Sequence, residues 1–145
     1  MTSSLLPSFR LVADGLWTLD VMRRFPGGVL LPARGTVARL ADGSLWVHSP
    51  TPITAELAAA IDDAGPVRHL VGPNRLHHLS LGPWAARYPA AQLWAAPGLA
   101  EKRSDLMFTG TLGSPTGTGS SAPAIAPAAG RYLVERAPAR AALGR

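Results

Sequence analysis

The chain has 145 residues, 47% of them hydrophobic and 16% charged, enough for one domain with a core and too few for two full domains. Its formal charge of +5 is unevenly spread, because Ser114 to Arg145 holds four arginines and one glutamate and so accounts for +3. The absence of cysteine excludes a disulfide framework, a thiol nucleophile and cysteine-ligated metal.

The N-terminus, Met1 to Pro7, has no basic region followed by an apolar run, so a secretory signal is not expected. No apolar stretch approaches the ~20 residues that cross a bilayer. A soluble, cytoplasmic protein that does not engage a membrane is the expectation. Arg23-Arg24 is too short to form a nucleic-acid patch, so no nucleic-acid partner is expected.

Taken in order, Leu16-Trp17-Thr18-Leu19 reads as a strand, and Phe25-Pro26-Gly27-Gly28 and Pro32-Ala33-Arg34-Gly35 read as loop. Val37 to Val47 reads as a hairpin about Asp42-Gly43, both of which tolerate positive φ. A helix follows, with Thr54 as N-cap, Glu56 in the first turn, Leu57 and Ile61 on one face, and Gly65-Pro66 as its stop. Val67 to Val71 is a strand and Gly72-Pro73-Asn74 a turn. A helix containing Pro83 to Tyr88, a strand at Gln92 to Ala95 and a short helix from Gly98 to Arg103 complete the series. This rhythm specifies an α/β fold: a mixed β-sheet, mostly parallel, with an N-terminal hairpin and β-α-β-α-β units joined by right-handed crossovers.

From Gly113 the rhythm stops. Residues 1–113 form the folded segment, and 114–145 an Ala/Pro/Gly/Arg-rich, low-complexity tail. Two readings of the tail stay open: a flexible basic extension, or a product of GC-rich DNA read out of frame.

In open α/β sheets, ligands sit beyond the C-terminal ends of the strands. That rule places His48, His77 and His78 on one rim, with Asn74 and Arg75 beside them and Asp20 as the acid nearest a strand end. A catalytic zinc usually takes three protein ligands and an open position, and no third ligand beside His48 and His78 is evident. Structural hydrogen bonding and metal or acid–base work both remain open for these histidines. His69, inside a strand, reads as hydrogen-bonded structure, Asn74 as a turn or cap residue, and Lys102-Arg103 as a solvated helix face. Nucleotide-binding glycine loops and a Gly-x-Ser-x-Gly elbow are missing.

The segments Leu45 to Pro50, Gly65 to Val71, and Pro73-Asn74 through His77-His78, continued by Trp84, Tyr88-Pro89 and Pro97-Gly98-Leu99 with Lys102, carry a resemblance. Over Leu16 to Leu112 the chain resembles a widespread domain of unknown function whose layout is similar to the metallo-β-lactamase fold. That resemblance implies about the N-terminal half of an αββα sandwich. The superfamily's His-x-His-x-Asp-His run falls here with Pro73 at the first histidine, Arg75 at the second, His77 at the aspartate and His78 at the last. Only His78 matches. Two functional readings follow. One is a truncated, non-catalytic remnant of the fold or a binding module, without an intact catalytic metal site, with its exposed sheet covered by a second copy or a partner chain. The other is a hydrolase in which His78, His77 and His48 hold a divalent metal (Zn, Fe or Mn) whose water attacks a small ester, amide or phosphoester substrate. The residues leave open whether the chain is an enzyme.

Overall fold

The computed structural model describes residues 7–112; the tail reading for 114–145 lies outside the described residues. The elements are β1 (Ser8–Ala13), β2 (Leu16–Arg24), β3 (Leu30–Arg39), β4 (Leu45–His48), α1 (Ala55–Ala64), β5 (Val67–Gly72), α2 (Leu81–Arg87), β6 (Gln92–Ala95), α3 (Leu99–Lys102) and β7 (Gly110–Thr111). The seven strands form one sheet in sequence order. The first three pairings are antiparallel and the last three parallel, so the sheet is mixed in equal parts rather than mostly parallel.

The expected hairpin is present, with Val37 opposite Val47 and Ala38 opposite Trp46. Its turn differs from the expectation. Leu40 N–H bonds Ser44 O at 2.7 Å, and only Gly43 takes positive φ (83°), while Asp42 accepts from the Ser44 N–H at 2.9 Å. The second Asp-Gly, Asp14-Gly15, makes a tighter turn between β1 and β2, with Gly15 at φ 66°.

Pro32 to Gly35 is strand, not loop. β2 and β3 form a long two-stranded ribbon in which Pro32 pairs with Met22 and Leu31 with Arg23. β4 pairs only with Thr36 to Arg39, so this part of β3 has an open side. A proline lacking an N–H is tolerated at such an edge.

Thr54 caps α1 as expected, its Oγ1 accepting the Leu57 N–H at 3.2 Å, and Gly65 ends the helix at φ 150° with its N–H on Ile61 O. Leu57 and Ile61 of α1, Leu81 and Trp84 of α2 and Leu99 of α3 join Leu19, Val37, Val47, Leu70 and Leu93 in one buried cluster. Val37, Val47, Leu70 and Leu93 are successive cross-strand partners and therefore share one sheet face. All three helices thus cover the same face. The other face carries Ala38, Trp46, His48, His69, Val71 and Trp94, again linked by register. Of these, Trp46, His48 and His69 are only partly buried. This is one sheet with one helical layer, half of an αββα arrangement. No helix among the described residues is long and apolar enough to cross a membrane.

Candidate functional site at the strand-end rim

The end of β4 is shaped by a close backbone approach. A Cβ on Gly35 of β3 would lie 2.5 Å from Ser49 O and 3.1 Å from His48 O. Glycine there lets the chain leave β4 sharply, with Ser49 at φ 54°, the sole non-glycine residue with positive φ among those described. Ser49 N–H bonds Val71 O at 3.0 Å, so the Ser49-Pro50-Thr51 segment is pinned across the end of β5. Trp84, fully buried, donates its indole N–H to Thr51 O at 2.7 Å and ties this segment to α2.

The β5–α2 connection is organised by Asn74. Its Oδ1 accepts the N–H groups of Leu76 and His77, both at 2.8 Å, an Asx-type clamp. With Oδ1 so engaged, the amide nitrogen faces His77 Nδ1 at 3.5 Å. Arg75 is exposed, and its carbonyl accepts from Lys102 Nζ at 2.7 Å.

The three rim histidines do not converge. The pKa of His48 is lowered by burial and then by the charge of His77. His48 also stacks on Trp46 with ring centroids 5.2 Å apart. His78 is buried and meets Arg103. Arg103 Nη1 lies 3.2 Å from its Nδ1 and donates to its carbonyl at 2.9 Å. Asp105 accepts from the same guanidinium at 2.8 Å through each carboxylate oxygen. Arg103 is therefore not a solvated residue: its side chain is 17% exposed and it holds the α3 end against the β5–α2 loop. A guanidinium only donates, so it makes Nδ1 of His78 the acceptor and leaves the ring proton on Nε2. In that state neither ring nitrogen offers a lone pair to a metal.

Asp20 is not at a strand end, because β2 runs on to Arg24. It is bound by Arg34 and, more distantly, Arg10 (3.5 Å), with Thr18 at 3.1 Å. His69 accepts at Nδ1 from Trp94 Nε1 at 3.2 Å, as a hydrogen-bonded strand histidine. Among the described residues no group of three or more His, Asp or Glu side chains is placed to hold a metal ion.

A cavity of about 300 Å³ opens between the β2–β3 ribbon tip and the β5–α2 loop, next to His77. Residue patterns had given no sign of it, because its walls come from Arg23, Phe25 and Leu31 of a ribbon whose second strand had read as loop. Ser49, Thr51, Leu76 and Leu79 complete it from the opposite side.

His48, His69 and His78 all have lowered pKa values, with burial as the largest cause in each; the charges of Lys102 and Arg103 add to it at His78. Each binds its proton less tightly in the folded chain than in the unfolded chain. Their contribution to stability is thus complete above the ordinary imidazole value of ~6.5 and is lost as pH falls below it. Thermal melting followed between pH 7.5 and pH 5.5 should show Tm falling toward pH 5.5, with a flatter profile in His69→Gln. A Tm that holds or rises on acidification contradicts this.

The family model for a domain of unknown function, DUF4336, matches residues 13–100. The chain belongs to this family. No curated protein matches the DUF4336 chain in sequence. Among solved structures, a metallo-β-lactamase from Pontibacter korlensis is similar at a TM-score of 0.58 with 15% identity, over 79% of this chain and 56% of its own. One from Hirschia baltica is similar at 0.58 with 13% identity, over 81% and 57%. The metallo-β-lactamase FIM-1 from Pseudomonas aeruginosa, in a mono-zinc form, is similar at 0.50 with 17% identity, over 70% and 47%. Such likeness establishes a metallo-β-lactamase-like fold and nothing finer. The DUF4336 chain spans about half the length of these structures.

Proposed function

We propose that this DUF4336 chain is a non-catalytic, small-molecule-binding member of the metallo-β-lactamase-like fold, without an intact catalytic metal site. The observation that carries the reading is the orientation of His78. It is the one residue that matches the superfamily's ligand run, and it is turned into Arg103, which occupies its Nδ1. Of the remaining positions, Pro73 offers no ligand and Arg75 is a cation. Among the described residues His77 and His48 then remain, one short of the three protein ligands that a catalytic zinc usually takes. The donor set does not fit a hydrolytic metal, and the cavity beside His77 is what the rim offers instead. Purified protein, analysed for metals, should carry less than about a tenth of an equivalent of Zn, Fe or Mn, in keeping with the two-ligand set. A stoichiometric metal that is lost in His78→Ala would overturn the reading and restore a hydrolase.

The same reading includes a cover for the second sheet face. Trp46, His48 and His69 lie partly exposed on the side away from the helices, where an αββα sandwich has its second sheet. A contiguous aromatic face of this kind favours association. The purified chain should therefore run larger than a monomer by light scattering or co-purify with a partner chain, and Trp46→Lys should reduce that association. A monodisperse monomer with a cooperative melt contradicts it.

A further inference from the structure

We propose that the cavity between the β2–β3 ribbon tip and the β5–α2 loop binds a small organic monoanion: a carboxylate carried on an apolar body. This rests on the small-molecule-binding reading above and names its ligand class.

The charge of the cavity sets the anion. Its walls hold Arg23, Arg34 and His77 and no carboxylate. Arg34 is ion-paired with Asp20, which is not among the lining residues, whereas Arg23, half-buried, has no acidic partner among the described residues. One uncompensated guanidinium, with an imidazole beside it, matches one negative charge better than the two of a phosphate monoester. The guanidinium's planar fork also suits a carboxylate.

The apolar walls set the body. Phe25, Leu31, Leu76 and Leu79 line the cavity while remaining 39%, 49%, 74% and 53% exposed. Four of the nine large exposed hydrophobic residues among those described thus gather around one opening, where scattered single residues are the rule on a protein surface. Thr51, also in the lining, is 3% exposed, and its Oγ1 has no hydrogen-bond partner among the described residues. The strained φ of Ser49 in the same wall is of the kind that collects at ligand sites. The volume of about 300 Å³ equals roughly ten waters at ~30 Å³ each, so the ligand has on the order of ten heavy atoms.

The test is calorimetric titration of the full chain with 3-phenylpropionate, its neutral amide and phenyl phosphate. The carboxylate should bind one site with Kd on the order of 1 mM, as expected for a ligand of this size. The amide should bind at least tenfold more weakly, and phenyl phosphate no better than the carboxylate. Arg23→Gln should weaken carboxylate binding about tenfold or more with Tm unchanged, and Leu76→Asn, at a mostly exposed position, should weaken it several-fold. Equal binding of acid and amide, an unchanged Kd in Arg23→Gln, tighter binding of phenyl phosphate, or no binding at all overturns the ligand class. Failure is separable from failure of the functional reading: a metal-free chain that ignores the carboxylate loses only the ligand, whereas a chain purified with stoichiometric metal loses the reading itself.

Discussion

Replacing Trp84 by alanine is expected to cost about 3–5 kcal/mol, the usual range for an aromatic truncated in a core. Trp84 is fully buried in the cluster that binds the helices to the sheet, and its indole N–H is also the donor to Thr51 O at 2.7 Å. Truncation removes both the packing and the donor, and leaves a buried carbonyl without its partner. Native domains are stable by about 5–15 kcal/mol, so much of the total is at stake. Chemical denaturation should place the midpoint of Trp84→Ala far below that of the parent, or find it unfolded in buffer. Trp84→Phe largely separates the two contributions, because it keeps most of the volume while losing the N–H. It should cost about 1–3 kcal/mol. A Trp84→Ala protein within about 1 kcal/mol of the parent would contradict the packing described, given the size of ordinary core truncations.

Gly35→Ala is the second. The added methyl would lie 2.5 Å from Ser49 O and 3.1 Å from His48 O, both backbone atoms of the neighbouring strand end. A flexible side chain could swing away from such a contact; a backbone carbonyl moves only if β4 parts from β3. Overpacking of this kind costs about 1–3 kcal/mol. For a domain of this size that is a fall in Tm of about 4–8 °C per kcal/mol. Because the same carbonyls begin the Ser49-Pro50-Thr51 wall of the cavity, the substitution should also disturb amide signals of His48 to Thr51 ahead of those in α1. A Gly35→Ala protein with the parent's Tm would mean that the β4 end is not held as described.

These two sites show what the residue pattern could and could not convey. Thr54, Leu57, Ile61 and Gly65 specify α1 locally, and the helix is found at Ala55–Ala64. The hairpin about Asp42-Gly43 was legible because the turn signal stood between continuous apolar runs. Asp14-Gly15 carried the same signal, but β1 before it alternates weakly and is largely exposed, so it did not read as a strand. Pro32 read as a breaker because the pattern cannot tell an open strand side from a paired one. In the rim, sequence spacing brought His48, His77 and His78 to one end of the sheet. The Asn74 clamp that sets His77 is local, but the way His78 turns depends on a non-local partner, Arg103, 25 residues away. Arg103 reads as solvated because, of its two partners, only Asp105 is near in sequence, and His78, which buries it, lies on another loop. The cavity was hidden for the same reason, being assembled from three connections far apart in the chain.

Whether the rim imidazoles gather around a metal decides between a binding chain and a hydrolase. Two-dimensional ¹H–¹⁵N imidazole spectra recorded while zinc is added address that directly. The His78 ring should keep its proton on Nε2, and no common shift of His48, His77 and His78 should develop up to one equivalent. Saturable, concerted shifts of the three rings, with His78 changing tautomer as Arg103 is displaced, would contradict the account.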